Sequence, residues 1–234
     1  LQGMLELFQI PFVGCKSLSS NLGMDKIISK IIFEHAKIPV LPYVSIDFQN
    51  YMIEDIIYQL DFPMIVKPAN GGSSIGIAKV DTVKQLNDAI ILASQYDRYI
   101  LIEPFRKMQE LECAILENNG LITSTIGEIN SNNEFYDYEA KYISSAPQTE
   151  IPANIPEEIQ KQIQKLAKKA FTAIRGNGLA RVDFFYDSNT KELFLNEINT
   201  IPGFTTISMY PKMLAFDGIS YSNLLTTIIE NAIN

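Results

Sequence analysis

Leu193-Phe194-Leu195-Asn196-Glu197-Ile198-Asn199-Thr200-Ile201-Pro202-Gly203-Phe204-Thr205-Thr206-Ile207-Ser208-Met209 is the stretch on which the chain turns. Read as a strand, its alternation puts Leu193, Leu195, Glu197 and Asn199 on one face, with successive members about 6.6 Å apart. An acid and an amide then point the same way at the end of an apolar strand. That pair suits a hard cation such as Mg²⁺, which takes oxygen ligands and keeps positions for water and phosphate. Residues 201–206 follow as a loop, because Pro202 lacks a backbone donor and Gly203 admits conformations other residues avoid.

The preceding strand, Leu179-Ala180-Arg181-Val182-Asp183-Phe184-Phe185, carries Arg181 and Asp183 on one face by the same alternation, so that a third oxygen ligand and a cation flank the same point. An ordinary hairpin, turned at Asp187-Ser188-Asn189-Thr190 with its polar residues on the wet side, accounts for either strand taken alone. It does not account for the string NEINTIPGFT.

Composition narrows the field. The chain has 234 residues, 47% of them hydrophobic, enough for one large or two modest cores. No apolar run reaches the 18 residues of a membrane span, and no charged-then-apolar leader opens the chain. With 27 acids against 19 bases the net charge is −8, which argues against nucleic acid as a partner. Cys15 and Cys113 form neither a disulfide framework nor a metal pattern, so a cytoplasmic setting is expected. His35 is expected at a helix C-terminus, where partial positive charge is favoured, and not in catalysis.

Along the chain, residues 1–8 read as the end of a helix and 11–13 as a short extended segment. Ser19 or Ser20 caps a helix running to about Ala36, with Lys26 in its first turns. Further expectations are a strand at 43–46, a helix at 53–60, strands at 63–67, 75–80 and 99–103, and a helix capped by Thr82. Strands at 111–117 and 121–128 bracket the turn Asn118-Asn119-Gly120. Residues 129–156 read as one long loop of the kind that serves as a lid, followed by a helix from Pro156 to about Ile174 and a last helix from about Ser220 to Ile233. Helices alternating with strands early, and antiparallel strands later, indicate an α+β architecture in two lobes.

Three strand ends carry candidate chemistry. Met64-Ile65-Val66-Lys67-Pro68 ends an apolar strand with a lysine; phosphate is a fitting partner for a buried-strand ammonium, as water is for an exposed one. The loop Ala69-Asn70-Gly71-Gly72-Ser73-Ser74-Ile75-Gly76 adds backbone N–H groups and the hydroxyls of Ser73 and Ser74, without the ending of a Walker loop. Ile100-Leu101-Ile102-Glu103 brings up a carboxylate able to accept from an adenine amino group. Seven residues on, Glu110 is placed either for ribose hydroxyls or on an exposed strand edge.

ARVDFF followed by NEINTIPGFTTISMYPK resembles the C-terminal signature of the D-alanine:D-alanine ligases, members of the ATP-grasp superfamily, and the likeness extends over essentially the whole chain. It implies an ATP-grasp fold in which residues 1–24 are the remnant of an N-terminal domain and linker, so that the chain looks like a piece of a longer protein. Residues 25–104 are then the central subdomain and 105–234 the C-terminal one, with the lid at 129–156. It implies ATP as nucleotide, bound by Lys26, Lys67, Ser73, Ser74, Glu103, Glu110 and Lys141, and two Mg²⁺ (or Mn²⁺) ions on Asp183, Glu197 and Asn199. In FYDYEAKY it places Lys141 near the transferred phosphate and Tyr142 beside the first substrate; relatives that make D-alanyl-D-lactate generally lack this Lys-Tyr pair, so an amine nucleophile is expected. Ser208, the Met209 backbone and Lys212 match the segment that holds the second substrate's carboxylate. Arg181 and the Gly203 N–H match the group that stabilises the tetrahedral oxyanion.

The implied reaction joins two D-alanines through an acyl phosphate for peptidoglycan synthesis. D-serine as second substrate and a non-catalytic nucleotide-binding module are the alternatives. A homodimer is also implied. Phe105-Arg106-Lys107-Met108 departs from the family pattern and puts the hinge contacts in question.

Overall fold

In the computed structural model, residues 1–130 and 148–233 are described. The fold is built on two antiparallel sheets. The smaller joins β1 (Val44–Asp47), β2 (Met64–Pro68), β3 (Ala78–Val80) and β4 (Tyr99–Pro104) in the order β1-β4-β2-β3. Across it lies α5 (Val83–Ser94), capped by Thr82, whose hydroxyl accepts from the Gln85 N–H. Leu86, Ala89, Ile90 and Ala93 of α5 close a core with Met64, Val66, Ile100 and Ile102. The short α4 (Ile53–Gln59) adds Ile56 to it.

The larger sheet runs β10-β9-β5-β7-β8, with β6 paired to β5. Its strands are β5 (Gln109–Glu117), β6 (Leu121–Thr123), β7 (Gly127–Asn130), β8 (Gln148–Glu150), β9 (Leu179–Asp187) and β10 (Glu192–Asn199). One face is covered by α6 (Glu157–Ala173), whose Ile163, Leu166, Ala167 and Ala170 meet Leu111, Cys113, Ile115, Val182, Phe184, Leu193, Leu195 and Ile198. At one end of the other face, α7 (Met209–Phe216) and α8 (Tyr221–Ile233) pack Met209, Tyr210, Met213 and Leu224 onto Ala114, Leu116 and Leu179. The rest of that face carries the polar residues described below.

Several expectations are corrected here. The helix expected from Ser19 or Ser20 to Ala36 is two helices, α2 (Ser17–Met24) and α3 (Lys26–His35). The break falls at Asp25, whose extended backbone and carboxylate, accepting from the Ile27 and Ile28 N–H groups, restart the helix. The helical periodicity runs on through the cap and hides it. The strand expected at 121–128 divides into β6 and β7, and the loop expected at 129–156 contains the end of β7 and all of β8. Its portion 131–147 lies outside the described residues. His35 does end α3.

The helix α3 packs Phe33 into the larger core together with Ile38, and the Leu195 N–H donates to the Pro39 carbonyl. Residues 26–40 therefore join the larger sheet in packing, while the smaller core begins at Val44. Among the described residues, no helix is long and apolar enough to cross a membrane.

Candidate functional site

A β-bulge aims the site. Register runs Leu195 opposite Phe184 and then Glu197 opposite Asp183, so Asn196 is the extra residue. Leu193 and Leu195 face α6 as expected, but Glu197 and Asn199 do not share that face. After the bulge Ile198 takes the inward position beside them, and the two polar side chains point to the opposite side. Glu197 and Asn199 still share a face with each other. Strict alternation fails because a bulge adds one residue to a period of two.

On that opposite face, pairing across β5, β9 and β10 lines up Glu112, Asp183 and Glu197 in one row and Ala114, Arg181 and Asn199 in the next. Three acids side by side repel, and the second row answers them. Arg181 forks onto Asp183 through Nε and Nη2 at 2.8 and 2.7 Å, while its Nε lies 3.1 Å from Glu112 Oε2. The Asn199 amide donates to Asp183 Oδ2 at 2.9 Å and to Glu197 Oε1 at 3.2 Å. Asp183, Glu197 and Asn199 thus converge on one point, with hard oxygens available from each. Among the described residues no three His, Cys, Asp or Glu side chains form a metal-holding group, and the third oxygen beside Asp183 and Glu197 is that of the Asn199 amide. Once its Oδ1 is turned inward, this donor set fits a hard divalent cation.

The electrostatics follow from packing. Burial raises the Glu112 carboxyl, Asp183 adds to the rise and Arg181 opposes it, leaving it at about 8. Burial also acts to raise Glu197, yet Lys26, the Asn199 amide, Arg181 and Lys67 outweigh it and hold the group below its ordinary value. Arg181 is driven down by burial and further up by Asp183, for a net rise. Glu112 was missing from the expected residues, although its parity with Glu110 along β5 is the signal that places it on this face.

The basic side comes from the smaller sheet and α3. Lys67, 8% exposed at the end of β2, pairs with Glu103 of β4, and Glu103 also meets Lys30 Nζ at 2.5 Å. Burial pushes Glu103 up, but Lys67 and Lys30 together hold it at about 2. Lys26 donates to the Gly71 carbonyl at 2.8 Å, tying the start of α3 to the Gly-Ser loop. In that loop Ser73 and Ser74 both take φ near +55°, at 54° and 59°. This left-handed pair is uncommon outside glycine and typical of backbone turned toward a ligand. Lys30 was also not singled out beforehand, although it stands one helical turn from Lys26.

Between the two sheets lies a cleft of about 880 Å³, whose lining includes Lys26, Lys67, Ser73, Glu103, Glu110 and Glu197. Ser74 and Asn199 also line it, whereas Arg181, Asp183, Gly203, Ser208, Met209 and Lys212 are not part of its lining. Glu110 sits on β5 opposite Phe185. At the other end of the acidic row, Ser208 closes the Pro-Gly loop: its hydroxyl accepts from the Thr205 N–H at 3.1 Å and meets Thr205 Oγ1 at 2.8 Å. A Cβ on Gly203 would fall 2.6 Å from Ser208 Oγ, so any larger residue there would displace the hydroxyl that closes the loop. Met209 is buried at the start of α7, leaving backbone as what it offers to a ligand, and Lys212 is half-buried on the same helix. Lys141 and Tyr142 lie outside the described residues.

A family model described as D-ala D-ala ligase C-terminus matches residues 32–230. The chain belongs to the D-alanine–D-alanine ligase family. Within that family, a D-alanine–D-alanine ligase of Acetivibrio thermocellus is 46% identical, covering 100% of this chain and 64% of the relative. Another from Solibacter usitatus is 44% identical, with 100% and 72% covered. Among solved structures, VanG D-Ala:D-Ser ligase from Enterococcus faecalis superposes with a TM-score of 0.90 at 37% identity, covering 99% of this chain and 68% of that one. The D-alanine-D-alanine ligase from Coxiella burnetii gives 0.88 at 35% identity, with 99% and 63% covered. The two antiparallel sheets around the cleft are thus those of the ATP-grasp fold, and the chain spans less than two thirds of the first of these relatives.

Proposed function

We propose that this chain binds Mg-ATP in the cleft between its sheets and carries the nucleotide and metal machinery for joining two D-alanines into D-alanyl-D-alanine, a cell-wall precursor, in the cytoplasm. The observation that carries this reading is the convergence of Asp183, Glu197 and Asn199 on one point, beside a cleft that Glu197 and Asn199 line together with Lys26 and Lys67. A cleft of about 880 Å³ is also of the size that takes a nucleotide.

Asp183, Glu197 and Asn199 would hold Mg²⁺ or Mn²⁺, which when bound neutralises phosphate oxygens and keeps them in line for transfer. Lys26 and Lys67 place positive charge along the phosphates, and the N–H groups of the Gly-Ser loop cover them. Glu103 and Glu110 take the adenine and ribose ends. The first D-alanine's carboxylate attacks the γ-phosphate, giving an acyl phosphate and ADP. The second D-alanine's amine then attacks the acyl carbon, and phosphate departs. Arg181 and the Gly203 N–H are assigned to the oxyanion that forms in this step. Ser208, the Met209 backbone and Lys212 are assigned to the second substrate's carboxylate, and Lys141 and Tyr142 to the lid.

D-serine as second substrate remains a second reading, favoured by the close superposition on VanG; comparing kcat/KM for D-alanine and D-serine separates the two. The test of the main reading is calorimetric titration of Mg-ATP, followed by phosphate release in D-alanine. Glu197→Gln removes a metal ligand, and ATP-dependent phosphate release by the full-length protein in D-alanine should fall by roughly a hundredfold or more. Undiminished release by that variant removes Glu197 from the metal set.

A further inference from the structure

Lys30 belongs neither to the oxygen trio nor to the residues that line the cleft, and it is 1% exposed. It rises from α3, which packs with the larger sheet, and its ammonium meets Glu103 Oε1 in the smaller one. Its other neighbours are the Leu41 carbonyl at 3.5 Å and the face of Tyr43, 5.3 Å from the ring centroid, with the Glu34 carboxylate farther out, beyond ion-pair distance, accepting from the Tyr43 hydroxyl at 2.9 Å. The second Glu103 oxygen pairs with Lys67. One carboxylate therefore serves two buried lysines.

A single Lys67–Glu103 pair would balance its own charge. Adding a third, fully buried charge is costly unless the surplus is put to use. The surplus of one positive charge has one outlet, because Lys67 and Glu103 line the cleft while Lys30 is sealed behind them. We propose that Lys30 is a positioning residue that, by engaging Glu103 from behind, keeps Lys67 from being neutralised and so maintains a net positive charge toward the phosphates of the bound ligand. This rests on the nucleotide reading above, and it deepens it: the recognition of phosphate at the end of β2 is set by a residue that never touches the ligand.

The measured quantity is the ratio of ATP to adenosine affinity, each taken by displacement of a fluorescent ATP analogue from the 234-residue chain in Mg²⁺. A residue that merely props the sheets together moves both affinities alike and leaves the ratio fixed. Lys30→Met removes the surplus charge, and the ratio should fall by roughly tenfold. Lys30→Arg keeps the charge and should leave the ratio near the wild-type value. Glu103→Gln leaves two lysines without a carboxylate and should raise the ratio, and Lys30→Met combined with Glu103→Gln should return it. If Lys30→Met alone does not fold, the step from Glu103→Gln to the double variant tests the same charge. A ratio indifferent to Lys30 in either background overturns the proposal. Failure of wild-type chain to bind ATP at all overturns the nucleotide reading itself, and the proposal with it.

Discussion

Asn199→Asp exchanges the amide that bridges Asp183 and Glu197 for a carboxylate, the third in that trio. An oxygen in place of Nδ2 would lie 2.9 Å from Asp183 Oδ2 and 3.2 Å from Glu197 Oε1. Each such contact between charges costs roughly 5 kcal/mol at an effective dielectric constant of about 20. Arg181 on Asp183 and Lys26 near Glu197 reduce that cost. The introduced carboxyl can also protonate, which at pH 7 caps its penalty near 4 kcal/mol, since its unfolded pKa is about 3.9. An estimate of about 3–4 kcal/mol follows, or a melting temperature lower by roughly 6–15 °C for a chain of this size. The sign of the pH dependence is fixed, because a carboxyl whose folded pKa is raised carries no penalty below its unfolded pKa and a growing one above it. At pH 5 the cap drops to about 1.5 kcal/mol, so most of the loss should vanish. Millimolar Mg²⁺ should restore stability at pH 7, and by more than it raises the wild type, because three carboxylates hold it more tightly than two. The assay is thermal unfolding in EDTA at pH 7, in EDTA at pH 5, and in Mg²⁺ at pH 7. Equal melting of variant and wild type in EDTA at pH 7, or a loss that neither acid nor Mg²⁺ relieves, refutes the arrangement.

Two further outcomes are expected. Glu103, held at about 2 by two lysines, contributes stability that is full above its unfolded pKa of 4.5 and drains away as pH falls from there toward 2. That amounts to about 3 kcal/mol, and acid unfolding of Glu103→Gln should be flatter across the window. Gly127→Ala places a Cβ well inside contact distance of Met209 Cε and 3.1 Å from Met213 Sδ. Chemical denaturation should show a loss of about 1–3 kcal/mol, and the shift of Met209 should raise KM for the second amino acid more than for ATP.

The sequence carries the α+β character and the acid-amide pair plainly, because both rest on periods that side chains report directly. Apolar residues at helical spacing mark α5 and α6, and Glu197 with Asn199 keeps its two-residue spacing. What it hides is wherever the period breaks without a marker. Nothing in Leu195-Asn196-Glu197 distinguishes a bulge from regular strand, and only pairing with Phe184 and Asp183 reveals the slip that turns the ligands away from the α6 side. Asp25 hides equally well, since its capping role depends on backbone angles that its neighbours' periodicity masks. Glu112 and Lys30 carry only a faint signal, parity with Glu110 for one and a position one helical turn from Lys26 for the other, because each is an ionisable group buried by tertiary contact, and propensity is silent on contacts between distant segments.

That distinction also explains the division of labour in the cleft. Of the groups read from sequence, Lys26, Lys67, Glu197 and Asn199 stand at strand or helix ends, where an apolar run gives way to a polar side chain and the change itself draws attention, while Asp183 lies mid-strand in β9 and is marked by its alternation with Arg181. Behind them, Glu112 steadies Arg181 and Lys30 steadies Glu103, each a buried charge facing one already spoken for. A hydrophobic replacement of either group leaves its partner paired, Arg181 with Asp183 and Glu103 with Lys67, so what such a change alters is the charge balance offered to the cleft.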